Sequence, residues 1–254
     1  MTMMSTSKRI LITGASAGIG AACARRLAAD GHALILWARR AERLDALAAE
    51  LTSEHGAEVS TATVDVRHRE AVRTAADALA EPPDVLLNNA GLASGFDPVH
   101  EGDPEDWDRM IDTNLKGLLN VSRFILPRMV ERGSGHVINI GSTAGHMTYP
   151  KGNVYAATKY GVRALTEGMN LDLVGTGVKV SGVDPGFVET EFSVVRFHGD
   201  ADRAARVYDG FRPLGPEDVA DAVAYVIGVP AHVNVLDLVV VPTAQRNVYV
   251  VDRA

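Results

Sequence analysis

The segment Asn153-Val154-Tyr155-Ala156-Ala157-Thr158-Lys159-Tyr160 sets a phenol and a primary amine four residues apart. On a helix that spacing places both on one face, as an ordinary surface pair or as an acid/base pair. Tyrosine is a poor base at neutral pH, with a free pKa of roughly 10. An ammonium one helical turn away favours tyrosinate and lets the phenol exchange a proton with a nearby oxygen. Other side chains suited to such a reaction lie upstream. Ser142 closes the run Asn139-Ile140-Gly141-Ser142, and Asn114 stands inside the helical stretch Asp112-Thr113-Asn114-Leu115-Lys116-Gly117. A mid-helix asparagine is a mild liability unless its amide has a hydrogen-bonding task.

Near the N-terminus, Thr13-Gly14-Ala15-Ser16-Ala17-Gly18-Ile19-Gly20 follows an apolar run. Three glycines permit a tight turn and close approach of backbone to a pyrophosphate, with a helix N-terminus behind it. The spacing is Gly-x-x-x-Gly-x-Gly, and its place after a first strand separates it from a merely structural turn.

The elements that must position these groups alternate. Short apolar runs at Arg9 to Ile12, Ala33 to Trp37, Val59 to Val64, Asp84 to Leu87, His136 to Ile140, Val178 to Val183 and Leu236 to Val241 predict seven strands. Helical patterns separate them, up to Leu27, over Glu42 to Leu51, over Arg69 to Leu79, and from Asp103, which caps a long helix with Pro104 at its first position. Unalternating apolar strands predict a parallel sheet buried on both faces between helix layers. One doubly wound α/β domain spanning 1–254 accounts for the chain, with ligands expected beyond the carboxyl ends of the strands. At the end of strand two, Ala38-Arg39-Arg40 stands where an acidic residue would accept ribose hydroxyls. Arginine forks there are either solvated or the partners of a phosphate dianion, and the missing acid favours the phosphate.

Bulk properties exclude several classes. Of 254 residues, 46% are hydrophobic and 22% charged, an ordinary globular composition. The net charge of −7 with no basic run argues against nucleic acid. Cys23 stands alone, so no internal disulfide forms. Met1 to Lys8 is polar and short, unlike a signal peptide, and no apolar run is long enough to span a membrane. The expectation is a cytoplasmic protein. His32, His55, His68, His100, His136, His198 and His232 are scattered, and no pair has metal-ligand spacing, so no metal is expected.

Taken in order, TGASAGIG, Asp65 after strand three, Asn88-Asn89-Ala90-Gly91, Asn114, Ser142, YAATK and Pro185-Gly186 with Thr190 resemble the classical short-chain dehydrogenase/reductase family over essentially the whole chain. The resemblance implies a Rossmann-like seven-stranded parallel sheet and NADP(H) as cofactor. It implies that Tyr155 is the acid/base, that Lys159 lowers its pKa and holds the nicotinamide ribose, and that Ser142 binds the carbonyl oxygen. Asn114 would hold a water that passes protons outward from Lys159. The cofactor would be bound by Thr13, Gly14, Ser16, Ala17, Gly18, Ile19 and Gly20, and by Arg39 and Arg40. Asp65 and Val66 would serve the adenine, and Asn89, Ala90 and Gly91 the adenosine ribose. Pro185, Gly186, Val188 and Thr190 would surround the nicotinamide amide. "GNVYAATK", "TEFSVVRFHGD", "PEDVADAV" and "PAHVNV" resemble the branch that oxidises 3-hydroxy acids, with sulfoacetaldehyde reductases nearby.

A small anionic substrate in a chain of charge −7 needs a local cation. Arg196 lies in the segment 187–212, where this fold carries a lid, and is expected to bind the anionic end or to pair with Glu189, Glu191 or Asp200. His146 is expected in the pocket wall or a solvated loop. Relatives in the family usually form homotetramers, and the run Val248 to Val251 in the tail 242–254 fits burial against a neighbour or against its own domain. Two alternatives fit the chain less well. A cofactor sensor need not keep a proton relay, and a hydrolase using Ser142 lacks a recognisable second base.

Overall fold

In the computed structural model, residues 7–254 are described, so Met1 to Thr6 of the polar N-terminal segment lie outside the described residues. The first half of the chain alternates strictly. It runs β1 (Arg9–Thr13), α1 (Gly18–Ala29), β2 (Ala33–Ala38), α2 (Ala41–His55), β3 (Val59–Thr63), α3 (Arg69–Asp77) and β4 (Val85–Asn88). Then come α4 (Pro104–Ile111), a π-helical segment (Asp112–Gly117), α5 (Leu118–Arg132), β5 (Gly135–Ile140), α6 (Asn153–Asp172) and β6 (Val178–Pro185). The segment 187–212 holds α7 (Phe192–Arg196) and α8 (Ala201–Ala205), and α9 (Pro216–Gly228) leads to β7 (Asp237–Val240).

All seven strands are parallel, in the order β3-β2-β1-β4-β5-β6-β7. The winding direction reverses between β1 and β4, and the crevice of such a sheet opens beyond the strand ends at that point. Alternation along each strand divides the apolar side chains between two layers. Ile10 and Ile12 of β1 pack with α1, α2 and α9, whereas Leu11 faces the layer of α3 and α5. A third small cluster of Leu92, Ala93 and Met110, with Trp107, Val154, Tyr155 and Phe192 against it, fastens the start of α6 to α4 and the lid.

Two expectations need correction. Burial on both faces holds for the central strands, but β3 and β7 lie at the sheet edges and stay largely accessible, with Val239 exposed. In β3, VSTAT, the polar Ser60, Thr61 and Thr63 face solvent, whereas the apolar run of β7 carries no mark of its edge position. The long helix does begin at Asp103, whose carboxylate accepts from Glu105 N at 2.9 Å ahead of Pro104. It is not continuous, however. The π-helical segment interrupts it at Asn114, the kind of local widening that recurs at functional sites.

His136 is buried in β5 with Nε2 2.8 Å from Ser181 Oγ. Burial first, with Lys179 and Lys8 adding to it, pushes its pKa down from 6.5 to about 3. The folded protein thus holds a neutral imidazole that the unfolded chain protonates below 6.5, so stability from this group is lost as pH falls from 6.5 toward 3. Denaturant unfolding at pH 5 should show a loss of about 2 kcal/mol from this group relative to pH 7.5. His136→Gln should flatten that acid limb, and an unchanged slope would count against the assignment.

Candidate active site

β1 ends at Thr13, whose hydroxyl accepts from Asn89 N and Ala90 N, each at 3.1 Å. Asn89 in return donates to Thr13 O at 2.9 Å and to Gly14 O at 3.3 Å. These bonds tie the glycine loop to the end of β4 across the switch point. Gly14 has φ +67°, and a Cβ there would lie 2.9 Å from Ala90 Cα. A Cβ on Gly20 would fall 2.5 Å from both Gly14 O and Asn89 Nδ2. The loop can therefore close against the next strand only with glycine at these positions. Ala17, which precedes α1, gives no side-chain cap, and the first turn carries no acid. The helix N-terminus is left with free N–H donors and its positive end toward the cleft, a fitting seat for a pyrophosphate.

Gly14, Ser16, Ala17, Gly18 and Ile19 line one continuous cleft with Arg39 and Arg40 at its rim. Arg39 has no carboxylate partner among the described residues, while Arg40 donates to Ser16 Oγ at 3.2 Å and pairs with Glu191 at 3.0 Å. Asp65 and Val66 line the same cleft, as do Asn89, Ala90 and Gly91. Burial works against the Asp65 charge, but hydrogen bonds from Arg67, the nearest at 2.6 Å, outweigh it and hold the carboxyl below its usual range.

At the far end, Ser142, Tyr155, Lys159, Pro185, Gly186, Val188 and Thr190 complete the wall. Ser142 caps a short 3-10 turn, accepting from Ala144 N at 3.1 Å. Lys159 is buried, and its Nζ donates to Ile140 O at 2.8 Å, at the carboxyl end of β5. Burial pushes the Lys159 pKa down to about 8, against the pull of the Asp184 carboxylate. Burial also pushes the Tyr155 pKa up to about 12, assisted by Tyr149, with Arg196 and then Ser142 opposing the rise. Among the influences opposing the rise, the Arg196 guanidinium leads. With its pKa raised, Tyr155 keeps its phenolic proton at neutral pH.

Arg196 reaches Tyr155 from α7, its guanidinium carbon 5.0 Å from the ring centroid. The rings of Phe96, Tyr149 and Phe192 surround the same group at 5.3 to 5.9 Å. Its one hydrogen bond among the described residues is to Tyr149 Oη at 2.6 Å, and its buried Nε has no partner there. None of Glu189, Glu191 and Asp200 pairs with it: Glu191 holds Arg40 and Arg43, and Asp200 caps α8 through Arg203 N. A desolvated guanidinium without a counterion is costly, and it suits an incoming anion.

Five expected residues lie outside the main cleft: Arg196 lines a smaller pocket beside it, where it meets Tyr155. Thr13 and Gly20 brace the glycine loop from behind, as described. Asn114 is buried, its Oδ1 accepting from Leu92 N at 2.9 Å and its Nδ2 donating to Leu92 O at 2.9 Å and Thr158 Oγ1 at 3.0 Å. Its side chain thus braces α6 and the segment after β4. His146 is not brought into the pocket wall. Its Nε2 bonds Asp184 and lies 3.7 Å from Asp237, and the three ligand-type atoms fall within 4.8 Å of one another. That grouping could hold a metal ion, and spacing along the chain gave no sign of it because three separate segments supply it.

Sequence reasoning also missed Gln245. This buried amide accepts from Phe187 N at 3.0 Å and donates to Asn247 O at 2.9 Å, pinning the loop after β6. The polar run Gln245-Arg246-Asn247 in the tail was the available signal.

A family model described as short chain dehydrogenase matches residues 8–200. An NADP-dependent 3-hydroxy acid dehydrogenase from Salmonella typhi is 48% identical over 243 residues, covering 93% of this chain and 95% of that protein. Sulfoacetaldehyde reductase 2 from Chromohalobacter salexigens is 46% identical over 249 residues, 96% and 98% of the two chains. The solved closed form of serine dehydrogenase complexed with NADP+ superposes with a TM-score of 0.89 at 47% identity, covering 94% of this chain and 96% of the other. These matches show that the chain belongs to the short-chain dehydrogenase family.

Proposed function

We propose that this chain is an NADP(H)-dependent oxidoreductase that interconverts a small 3-hydroxy acid, of the serine, allo-threonine or 3-hydroxypropionate type, and its aldehyde or ketone. The observation that carries the substrate class is Arg196, a guanidinium without a carboxylate partner that lies 5.0 Å from the ring of the proton donor. An anionic group held there puts a carbon one or two bonds away beside the Tyr155 hydroxyl. The relatives named above support the same class. The second reading, a sulfonate-bearing aldehyde, rests on the same guanidinium, which accepts sulfonate as readily as carboxylate.

The residues fit NADP(H). The uncapped N-terminus of α1 and the glycine loop would seat the pyrophosphate, Arg39 and Arg40 the 2′-phosphate, Asp65 and Val66 the adenine. Asn89 to Gly91 would border the adenosine ribose, Lys159 the nicotinamide ribose, and Pro185 to Thr190 the amide. When bound, the cofactor supplies or accepts the hydride. The chain's own part is to manage the proton. Ser142 orients the carbonyl oxygen, and Tyr155 donates its phenolic proton to that oxygen as negative charge develops. Arg196 and Ser142 oppose the rise in the Tyr155 pKa, so they also stabilise the phenolate left behind. At the π-helical break, Asn114 would hold a water that passes protons outward from Lys159. A sensor that bound the cofactor without turnover would need none of this.

The reading extends to the whole chain: a single domain over 1–254, with 187–212 as lid and 242–254 as closing tail. Among the described residues no helix is long and apolar enough to cross a membrane. We place the protein in the cytoplasm as a homotetramer, joined through α4 to α6, the accessible β7 edge and the tail. Fractionation with the soluble fraction and a tetrameric mass by light scattering are expected, and a monomer at micromolar concentration would refute the assembly.

Tyr155→Phe should bind NADPH nearly as the parent does while turnover falls below about one hundredth, the scale of general acid/base catalysis. Higher residual turnover would remove Tyr155 from the proton-transfer step. Steady-state kinetics with 3-hydroxy acids, their semialdehydes, sulfoacetaldehyde and uncharged aldehydes test the substrate class. Arg196→Leu should lose about ten- to a hundredfold in kcat/KM for the charged members, the worth of a charge-assisted hydrogen bond, and distinctly less for neutral ones, which lose only its pull on Tyr155. Equal losses would reduce Arg196 to shaping the lid.

A further inference from the structure

The lid is attached to the cofactor cleft by charge at a point distant from Tyr155. Glu191 immediately precedes α7, and each of its carboxylate oxygens holds a different arginine. Oε2 takes Arg40 Nη1 at 3.0 Å and Oε1 takes Arg43 Nη1 at 2.7 Å. Arg40 also reaches Ser16 of the glycine loop at 3.2 Å, and Arg43 sits in the first turn of α2. The ion pairs therefore link lid, glycine loop and the end of β2 across the mouth of the cleft, which Glu191, Arg39 and Arg40 all line. All three clasp side chains are close to half exposed, so each bond is weak and replaceable. Hydrogen bonds from Arg43 and then Arg40 hold the Glu191 carboxyl below its usual range, so the clasp stays charged through the neutral range.

We propose that Glu191 is a built-in competitor for the 2′-phosphate of the dinucleotide, and that the phosphate loosens the start of the lid by taking Arg40 from it. The inference rests on the reading of Arg39 and Arg40 as the 2′-phosphate site. A phosphate dianion offers more charge and more acceptor oxygens than a carboxylate, so it is the stronger partner for a guanidinium. Once it occupies Arg40, Glu191 beside it is a like charge and retreats to Arg43 alone. An adenine nucleotide without the 2′-phosphate has no claim on Arg40 and leaves the clasp shut. Glu191 thus makes the cleft respond to the phosphorylated cofactor in two ways. It lowers affinity slightly, and it couples occupancy at the adenosine end to lid movement over Tyr155.

The test uses adenosine 2′,5′-bisphosphate and AMP as probes, with titration calorimetry on the full chain and on Glu191→Gln. The exposed position makes this variant structurally mild. Glu191→Gln should bind the bisphosphate about two- to fivefold tighter, the worth of one exposed ion pair, and bind AMP as the parent does. Amide hydrogen exchange over 189–200 should speed up in the parent on adding the bisphosphate but not AMP, and should already be fast in Glu191→Gln. Equal or weaker binding of the bisphosphate by Glu191→Gln overturns the inference, as does lid exchange that ignores the bisphosphate. A parent protein that binds bisphosphate and AMP equally overturns the cofactor reading and this inference with it. A parent preference for the bisphosphate without the gain in the variant overturns the inference alone.

Discussion

Burial of the Lys159 ammonium is the constraint around which the site is arranged. A lysine so enclosed must surrender its hydration, and its pKa falls to about 8 as a result. Two features make the position tolerable. Ile140 O, freed at the carboxyl end of β5, accepts from Nζ at 2.8 Å, and the Asp184 carboxylate at the end of β6 adds attraction. Both partners exist only because β5 and β6 lie side by side and end at the same level, with α6 packed across them. The same docking sets Tyr155 one turn earlier on α6 at the mouth of the cleft. Removal of the helix face would leave the charge unpaired and the phenol unplaced.

Asp184 is held by more than the lysine. Burial raises its pKa, while His146 and Lys159 pull the other way and Asp237 adds to the rise. A Cβ on Gly141 would sit 1.8 Å from Asp184 Oδ1, so the backbone beside Ser142 can pass only as glycine. The Ser142 hydroxyl and the carboxylate that steadies the lysine thus depend on one close contact. This is why His146, though outside the cleft, is tied to the site's electrostatics.

Local signals in the chain were read well. Asp103-Pro104 announced a helix start because capping is decided within a few residues, and the glycine loop announced its turn for the same reason. Tyr155 and Lys159 were legible because a helix converts spacing into a shared face. What escaped reading was set by tertiary pairing. The exposure of β3 and β7 depends on which strand becomes an edge; the polar residues of β3, VSTAT, were a sign of it, whereas β7, DLVV, carries almost none. The π-helical break at Asn114 serves Leu92 and Thr158, both distant in sequence. Glu191 was weighed as a partner for Arg196, but the fold gives it to Arg40 and Arg43, and Arg43 had no motif to mark it.

The reassignment of Glu191 changes what the lid arginine can do. Had Glu191 or Asp200 neutralised Arg196, the group beside Tyr155 would carry no net charge, and Tyr149 alone would orient it. Instead the acids of the lid are used at its two ends, Glu191 toward α2 and Asp200 at the cap of α8. Arg196 keeps its charge among four aromatic rings. Aromatic faces attract a guanidinium without cancelling its field, so the cation is held in place yet remains able to bind an anion. The same field acts on Tyr155, where Arg196 is foremost in opposing the rise of the pKa. Substrate charge and phenol acidity are therefore coupled through one side chain. An anion bound at Arg196 screens it from Tyr155 and leaves the phenol harder to ionise, and a neutral aldehyde leaves that pull intact.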